Sequence, residues 1–283
     1  MGMATAWSDA MSAEQTRPFV EPALSRVRGL LLDVDGVLHV GDQPVPGAAE
    51  ALAVLRGLRM PHLLLTNTTT ASRSTLGARL RAMDLPVDDE RLLTAAMATV
   101  AFVQRRAPGA RCYLLAKGDV DTEFIAAGLH LVSDDDDDPA DLVVIGGAEE
   151  RLTYERMNRA FRLLLGGARL ITMHRNRWWQ TAAGPTLDSG PFVRALEEAA
   201  GVRATVVGKP SALFFRQGIR ALGLPAAAVA MVGDDARTDL APARRLGMTT
   251  ILVRTGKPVG APEERQADLV LDSIAALPDT LRR

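Results

Sequence analysis

The chain has 283 residues, enough for about two domains of ordinary size or for one large domain. Its 33 basic and 34 acidic residues leave a net charge of −1, which argues against a surface devoted to nucleic acid or anionic lipid. The single cysteine excludes an intramolecular disulfide framework and a zinc site with four cysteine ligands. No apolar run approaches the ~20 residues that span a bilayer, and the N-terminus lacks the apolar stretch of a signal peptide. We therefore expect a soluble, cytoplasmic, globular protein.

The first elements of the chain follow a loose N-terminal segment. Residues 1–25 show no sustained hydrophobic period and contain two prolines, so we predict a flexible extension there. The runs GLLLD (29–33) and HLLLTN (62–67) are short, unbroken and end in polar residues, which is typical of buried strands. Apolar residues recur at helical spacing between them, so a helix is predicted to connect the two strands.

The same alternation of strand and helix continues to the end of the chain. Further predicted strands are YLLAK (113–117), DLVVIGG (141–147), ARLITMH (168–174), ATVVGK (204–209), AVAMVGDD (228–235), TTILV (249–253) and ADLVL (267–271). Alternating strands and helices favour right-handed βαβ units and a doubly wound, parallel, Rossmann-like α/β sheet. We assign 26–98 and 186–283 to this core and 99–185 to a smaller α/β cap domain inserted within it.

Polar side chains follow several of the predicted core strands. These residues are Asp33, Asp35, Thr66, Asn67, Lys209, Asp234, Asp235 and Asp239. Ligands bind at the carboxyl ends of the strands in an open α/β sheet, so this is where a site is expected. A single aspartate at a strand end is also a common turn former or helix cap, so the prediction depends on the ordered set.

Lysine is rare in this chain, which makes each lysine informative. Only Lys117, Lys209 and Lys257 are lysines among the 33 basic residues, and the others are arginines. Arginine evidently serves wherever a general positive charge is enough. Each lysine is therefore a candidate for a position that needs a compact ammonium group.

The chemistry that fits this set is phosphoryl transfer. Clustering Asp33, Asp35 and Asp234 is unfavourable unless a cation is bound, and hard carboxylate oxygens without His or Cys select Mg²⁺. An aspartate can attack phosphorus, and a second carboxyl group on the same loop can protonate the leaving oxygen and then activate water. The Thr66 hydroxyl and the Lys209 ammonium would hold the phosphoryl oxygens.

The motifs resemble those of the haloacid dehalogenase superfamily of phosphatases, in the branch with a large α/β (type II) cap. The segments that carry the likeness include VDGVLHVGDQPVPGAAEAL, TNTTTASRSTL, VVGKPSALFF and MVGDDARTDLAPARRLGM, and it extends over about residues 27–280. Within that branch the chain resembles phospholysine phosphohistidine inorganic pyrophosphate phosphatases and their hydrolase-domain relatives. Some of these relatives carry Ser or Asn at the position of Asp35.

The resemblance implies a role for each residue of the set. It makes Asp33 the nucleophile and Asp35 the acid and base. The implied Mg²⁺ ligands are the Asp33 carboxylate, the Asp35 backbone carbonyl and Asp234, with Asp235 and Asp239 around them. Thr66, Asn67 and Lys209 would contact phosphate.

One segment of the cap is the candidate specificity element. The sequence HRNRWW (174–179) offers His174, Arg177, Trp178 and Trp179, which could grip an anionic or planar leaving group. An equally weighted interpretation is that both tryptophans pack in a contact between cap and core or between two subunits.

The expected ligand is a small phosphorylated molecule, either a phosphate ester, a phosphoamide or a pyrophosphate, and no nucleic-acid or membrane partner is expected. The resemblance also implies a homodimer formed through the cap. The alternative is a non-catalytic or phosphorelay-type phosphate-binding protein on the same scaffold. A signalling receiver is disfavoured, because receivers are about half this length and carry the phosphoacceptor on a later strand than the acidic pair.

Overall fold

A computed structural model describes residues 24–135, 138–181, 184–258 and 260–281 of the chain. Most of the extension predicted over 1–25 lies outside these residues. The strands are β1 (Gly29–Asp33), β2 (His39–Val40), β3 (Gln43–Pro44), β4 (His62–Thr66), β5 (Leu92–Thr94), β6 (Arg111–Leu115), β7 (His130–Leu131), β8 (Leu142–Ile145), β9 (Arg169–Thr172), β10 (Trp178–Thr181), β11 (Gly184–Leu187), β12 (Thr205–Val206), β13 (Val229–Gly233), β14 (Thr249–Val253) and β15 (Leu269–Leu271). The α-helices are α1 (Ala48–Gly57), α2 (Arg73–Ala82), α3 (Ala95–Arg106), α4 (Asp121–Ala126), α5 (Tyr154–Leu165), α6 (Ser189–Ala200), α7 (Ala212–Leu222), α8 (Ala241–Arg245), α9 (Ala261–Glu264) and α10 (Leu277–Leu281). Within the described ranges, every helix is too short or too polar to cross a lipid bilayer.

The core sheet confirms the predicted doubly wound architecture. Its strands run in the order β15-β14-β13-β1-β4-β5, and every neighbouring pair is parallel. Side chains of a strand alternate between the two faces of its sheet. Accordingly, Leu30 and Leu32 of β1 join one buried apolar cluster, whereas Leu31 joins another. Both faces of β1 are therefore covered, which explains why this strand is an unbroken apolar run.

The inserted cap has its own parallel sheet, with strand order β12-β9-β8-β6-β7. This cap sheet extends further along the chain than predicted, because β12 pairs with β9 rather than with a core strand. Helix α6 also belongs to the cap, since its Val193 and Leu196 are buried in one cluster with Tyr113 of β6. The structure thus places residues 186–206 with the cap, whereas the predicted boundary was residue 185.

The two sheets share one apolar cluster, which contains helix α3. Val100 and Phe102 of α3 are buried in the same cluster as Leu31 of the core and Val144 of the cap. Each sheet therefore depends partly on the other for the burial of its apolar surface. The contact fixes the cap over the carboxyl ends of the core strands.

A polar contact between cap and core lies at the start of α2. Asp119 of the cap accepts hydrogen bonds from the Ser72 amide (2.7 Å), the Ser72 hydroxyl (2.6 Å) and the Thr75 hydroxyl (2.6 Å). Glu123 accepts another from the Arg73 amide at 2.7 Å. The first amides of a helix lack partners within the helix, so these carboxylates from the cap complete the N-terminus of α2.

We expect Asp119→Ala to lower the free energy of unfolding by about 1–3 kcal/mol, because it leaves three donors at the cap–core contact without their charged acceptor. Denaturant unfolding of the purified variant measures this difference. Asp42→Ala, at an exposed position between β2 and β3, is the matched control and should change stability little. Equal stabilities of the two variants would contradict the assigned role of Asp119.

The same contact predicts a dependence on pH. Burial alone would raise the pKa of Asp119, but hydrogen bonds from Ser72 and Thr75 outweigh it and lower that pKa from 3.8 to about 2. A carboxyl group whose pKa is lower in the folded state stabilises the protein above its unfolded-state pKa. The stability difference between wild type and Asp119→Ala should therefore be full above pH 4 and shrink as the pH falls toward 2. A difference that stays constant over this range would refute the prediction.

Candidate active site

The carboxyl ends of the core strands open into a cleft of about 540 Å³ beneath the cap. On the core side, its lining includes Asp33, Asp35, Gly36, His39, Asn67, Thr68, Lys209, Asp234 and Lys257. On the cap side, the lining is Gly147, Glu149, His174, Asn176, Trp179 and Asp188. The structure therefore brings most of the predicted site residues together in one place, as expected for the end of a parallel sheet.

Lys209 forms the centre of the buried charge network. Its Nζ lies 2.6 Å from Oδ1 of Asp33 and 2.9 Å from Oδ1 of Asp239. The ammonium is only 5% exposed, so both ion pairs are shielded from water. Burial alone would lower the pKa of Lys209, but Asp239 and Asp33 outweigh it and raise the pKa above its ordinary value. Lys209 is thus held as a cation between two aspartates.

Asn67 holds the backbone of Lys209 through both ends of its amide group. The Lys209 amide donates to Asn67 Oδ1 at 2.8 Å, and Asn67 Nδ2 donates to the Lys209 carbonyl oxygen at 3.1 Å. The family resemblance implies that Asn67 contacts phosphate. In the structure its amide is engaged in orienting the lysine, although part of the side chain lines the cleft.

Thr66 and Asp35 form a pair at the edge of the cleft. The fully buried Thr66 hydroxyl donates to Oδ2 of Asp35 at 3.1 Å, and it also lies 2.9 Å from the Thr68 hydroxyl. Thr66 does not itself line the cleft, whereas Thr68 does. The side chain of Asp35 is 66% exposed, with His39 Nε2 at 3.7 Å from its Oδ1. Asp35 is therefore accessible from the cleft while one of its oxygens is oriented by Thr66.

Asp234 lies where three loops approach closely. Its Oδ2 accepts a hydrogen bond from the Lys257 amide at 2.9 Å. A Cβ at Gly36 or Gly256 would come within 2.3 Å or 2.0 Å of that oxygen, so both positions require glycine. Gly36 also has a left-handed backbone (φ 81°), which other residues rarely adopt. These glycines let the carboxylate reach the floor of the cleft.

A π-helical turn over Ala236–Leu240 follows β13 and positions the remaining aspartates. Asp235 begins this turn by accepting hydrogen bonds from the amides of Arg237 (2.8 Å) and Thr238 (3.2 Å), and it forms an ion pair with Lys257. Asp239 is fully buried, and within the described part of the chain its Oδ1 has no polar partner other than the Lys209 ammonium. Both aspartates therefore lie behind the cleft floor and organise the two lysines.

The carboxylates at the cleft floor suit a hard cation. Asp33, Asp234 and Asp239 offer oxygens that all lie within 4.8 Å of one another, with neither His nor Cys in this group. Burial and, after it, the negative charge of Asp239 raise the pKa of Asp33 well above its ordinary value, although Lys209 opposes this effect. Burial also raises the pKa of Asp234. Carboxylates that repel one another in a buried site are stabilised in their charged form by a dication. The oxygen donors therefore fit Mg²⁺. The side chain of Asp35 is not one of these three clustered carboxylates.

Two of the four predicted specificity residues, His174 and Trp179, line the cleft. His174 is buried and lines the cleft, with Nε2 3.4 Å from the Thr69 hydroxyl and Nδ1 3.3 Å from the Ser189 hydroxyl. Burial lowers the pKa of His174, while Asp188 opposes this effect. Trp179 also lines the cleft, but Arg177 is exposed and does not.

The two tryptophans differ in what they face. Trp178 is 56% exposed and lies opposite the exposed Leu187 on the β10–β11 hairpin. Because successive residues of a strand point to opposite faces, Trp178 faces away from the cleft that Trp179 lines. A homodimer through the cap stays a prediction.

Sequence reasoning missed several residues of the cleft. Thr68 follows the TN pair directly, and its place in a run of threonines after a strand could have indicated it. Glu149 and Asp188 carry no such signal, because a carboxylate near the start of a helix is equally typical of a helix cap. Lys257 is a candidate by its rarity alone, and in the structure it pairs with Asp235.

Comparisons with known proteins agree with this geometry. Residues 30–130 match a family model described as haloacid dehalogenase-like hydrolase, and residues 206–277 match a second model described as HAD-hydrolase-like. The human haloacid dehalogenase-like hydrolase domain-containing protein 2 is 38% identical over 243 residues, which cover 86% of this chain and 90% of the relative. Human phospholysine phosphohistidine inorganic pyrophosphate phosphatase is 34% identical over 267 residues, covering 91% and 95%.

Solved structures are similar over the same extent. A 4-nitrophenylphosphatase from Thermotoga maritima has a TM-score of 0.83 at 28% identity, covering 92% of this chain and 99% of its own. A p-nitrophenyl phosphatase from Archaeoglobus fulgidus has a TM-score of 0.82 at 30% identity, covering 90% and 99%. The likeness includes both the core and the inserted cap. The chain therefore belongs to the haloacid dehalogenase-like hydrolase family.

Proposed function

We propose that this enzyme is a Mg²⁺-dependent phosphatase that hydrolyses a small phosphorylated molecule through an aspartyl-phosphate on Asp33. The observation that carries the proposal is the Asp33 carboxylate, buried at the end of β1 and held 2.6 Å from the Lys209 ammonium at the floor of a cleft. Phosphatases among the relatives and structural neighbours support the same class of reaction. A purely phosphate-binding protein would need neither a buried nucleophile nor the second carboxylate of Asp35.

The residues divide the reaction between them. Asp33 attacks the phosphorus atom through a carboxylate oxygen, and the bond to the leaving oxygen breaks. Asp35, exposed to the cleft and oriented by Thr66, donates a proton to the departing oxygen and then takes one from the water that cleaves the aspartyl-phosphate. Lys209 holds Asp33 in position and faces the phosphoryl oxygens as charge develops on them.

Asp33, Asp234 and the backbone carbonyl of Asp35 would hold Mg²⁺. When bound, the ion would offset the charge of the phosphoryl group and of the clustered carboxylates. Asp235 and Asp239 would contribute indirectly, by keeping Lys257 and Lys209 in place.

The first test is metal removal. We expect the purified protein to hydrolyse 4-nitrophenyl phosphate with Mg²⁺ present, and exhaustive chelation to lower the rate at least ~100-fold, because uncompensated carboxylates repel the phosphoryl group. Restoring Mg²⁺ should restore the rate, and a melting curve of the chelated protein shows that it is still folded. Undiminished turnover after chelation would exclude the metal-dependent mechanism.

The second test separates the two carboxylates of the β1 loop. Asp33→Asn should retain less than about one hundredth of the rate and form no phosphoprotein, because an amide is a poor nucleophile. In Asp35→Asn the rate of leaving-group departure should fall about 10²–10⁴-fold for alkyl phosphates and less for 4-nitrophenyl phosphate, whose leaving group needs no proton. Rapid-quench intact-mass measurement detects the phosphoprotein. A phosphorylated Asp33→Asn protein would refute covalent catalysis by Asp33.

The third test compares two lysines that share the cleft. Lys209→Arg keeps the charge, but the longer planar side chain does not fit between Asp33 and Asp239. We expect kcat/KM to fall at least ~10-fold, about 1.4 kcal/mol of transition-state stabilisation. Lys257→Arg is the matched control, because its side chain is 62% exposed and has room to adjust. Wild-type kinetics for Lys209→Arg would show that the site needs only a positive charge.

A further inference from the structure

The two walls of the cleft differ in the groups that they present. The core wall supplies two lysines together with Asp33, Asp35 and Asp234 and, in the proposed reaction, takes the phosphoryl group. The cap wall therefore faces the rest of the substrate, the leaving group. Its lining residues are Gly147, Glu149, His174, Asn176, Trp179 and Asp188.

The cap wall carries two carboxylates and no arginine or lysine. Glu149 and Asp188 both line it, whereas Arg177 is exposed outside it. Arg175 is also diverted from the cleft, because it pairs with the buried Glu197 of α6. The histidine of this wall, His174, is buried, and its Nε2 lies 3.8 Å from Oδ1 of Asp188. Burial lowers the pKa of His174, while Asp188 opposes this effect. Arg177, which could have gripped an anionic leaving group, and its neighbour Arg175 are thus both absent from the described lining of the cleft.

The positions of the two carboxylates are fixed by the cap itself. Asp188 begins helix α6, where its Oδ1 accepts a hydrogen bond from the Ser189 amide at 2.6 Å, and its side chain is only 12% exposed. Glu149 has a left-handed backbone (φ 41°), and its Oε2 lies 2.5 Å from Nζ of Lys117. Lys117 is therefore the third rare lysine to pair with a carboxylate of the cleft or its surroundings.

The remaining large side chain of the wall is aromatic. Trp179 is 44% exposed and lines the cleft, so part of its indole ring is available to a ligand. The face of an indole ring attracts cations, and this attraction adds to that of nearby carboxylates. A wall with two carboxylates and an indole ring repels an anionic group and is complementary to an ammonium group.

The geometry points to a phosphomonoester whose leaving group carries a positively charged amine, selected by Glu149, Asp188 and Trp179 of the cap. This inference rests on the proposed phosphatase function and specifies its substrate class. The phosphoryl end lies against Lys209, and the amine end lies against the cap wall. An anionic leaving group, such as a carboxylate, would meet Glu149 and Asp188, and of these two only Glu149 has an ammonium partner among the described residues, Lys117.

The test compares three substrates of similar size that differ in leaving-group charge, namely phosphoethanolamine, ethylene glycol monophosphate and phosphoglycolate. We expect kcat/KM with Mg²⁺ to be highest for the amine and at least about 10-fold lower for the carboxylate, with the neutral ester between them. Glu149→Gln and Asp188→Asn should each lower kcat/KM for phosphoethanolamine about 10-fold and leave the neutral ester nearly unchanged. Trp179→Leu should weaken the same preference by raising KM for the amine alone.

Glu150→Gln is the matched control, since it removes the same charge from the neighbouring, exposed residue and should leave the preference intact. Hydrolysis of 4-nitrophenyl phosphate without a preference for the amine, or with a preference for the carboxylate, would overturn this inference and leave the phosphatase proposal standing. An equal loss for all three substrates in Glu149→Gln and Asp188→Asn would assign both residues to cap folding instead and would also overturn it. Failure to hydrolyse any phosphomonoester would refute the phosphatase function itself.

Discussion

The ammonium group of Lys209, buried between Asp33 and Asp239, is the interaction on which the organisation of the site depends. Burying a carboxylate without a partner is so unfavourable that it would become neutral, and a neutral Asp33 could not act as a nucleophile. One cation next to two aspartates leaves the group with excess negative charge. That excess creates the need for a dication at the floor of the cleft, and it explains why Asp234 is brought there through two glycine positions.

Much of the scaffold serves to hold that ammonium in place. Asn67 fixes the backbone of Lys209 from the end of β4, and Asp239 fixes its side chain from the turn after β13. These contacts come from separate strands of one sheet, so the precision of the site derives from the regular spacing of parallel strands. The cap supplies the opposite wall of the cleft instead. That wall can therefore vary in sequence without disturbing the buried charge network around Lys209.

The elements that sequence predicts best are those with a local physical cause. The strands GLLLD and TTILV agree with β1 and β14 to the residue, because strands buried on both faces need unbroken apolar runs. The aspartates are predictable because the ends of neighbouring core strands converge, and Lys209 is predictable from the rarity of lysine among the basic residues. The run ATVVGK looks the same, yet β12 joins the cap sheet, since a short apolar run does not reveal which sheet it enters.

Other features depend on contacts that only the folded chain defines. The grip of Asn67 on Lys209 joins residues 142 positions apart, and no local pattern indicates it. Similarly, HRNRWW contains two tryptophans and two arginines, but the alternation of β10 decides which tryptophan faces the cleft. Arg175 is held away from the cleft by its ion pair with Glu197 of α6, a residue that follows this segment in the chain.

Because the cap is inserted between Asp33 and Lys209 in the chain, the site assembles late during synthesis and folding. During synthesis Asp33 emerges long before the lysine that accompanies it, so the carboxylate stays hydrated until the whole cap has been made. The entropic cost of bringing Asp33 and Lys209 together grows only with the logarithm of the length of chain between them, so the long insertion raises this cost modestly. Contacts between residues so distant in sequence nevertheless form slowly. The Asp33 carboxylate can be buried in its charged form only once the Lys209 ammonium is present. Catalytic competence is therefore one of the last properties that the folding chain acquires, and an incomplete chain has no assembled site.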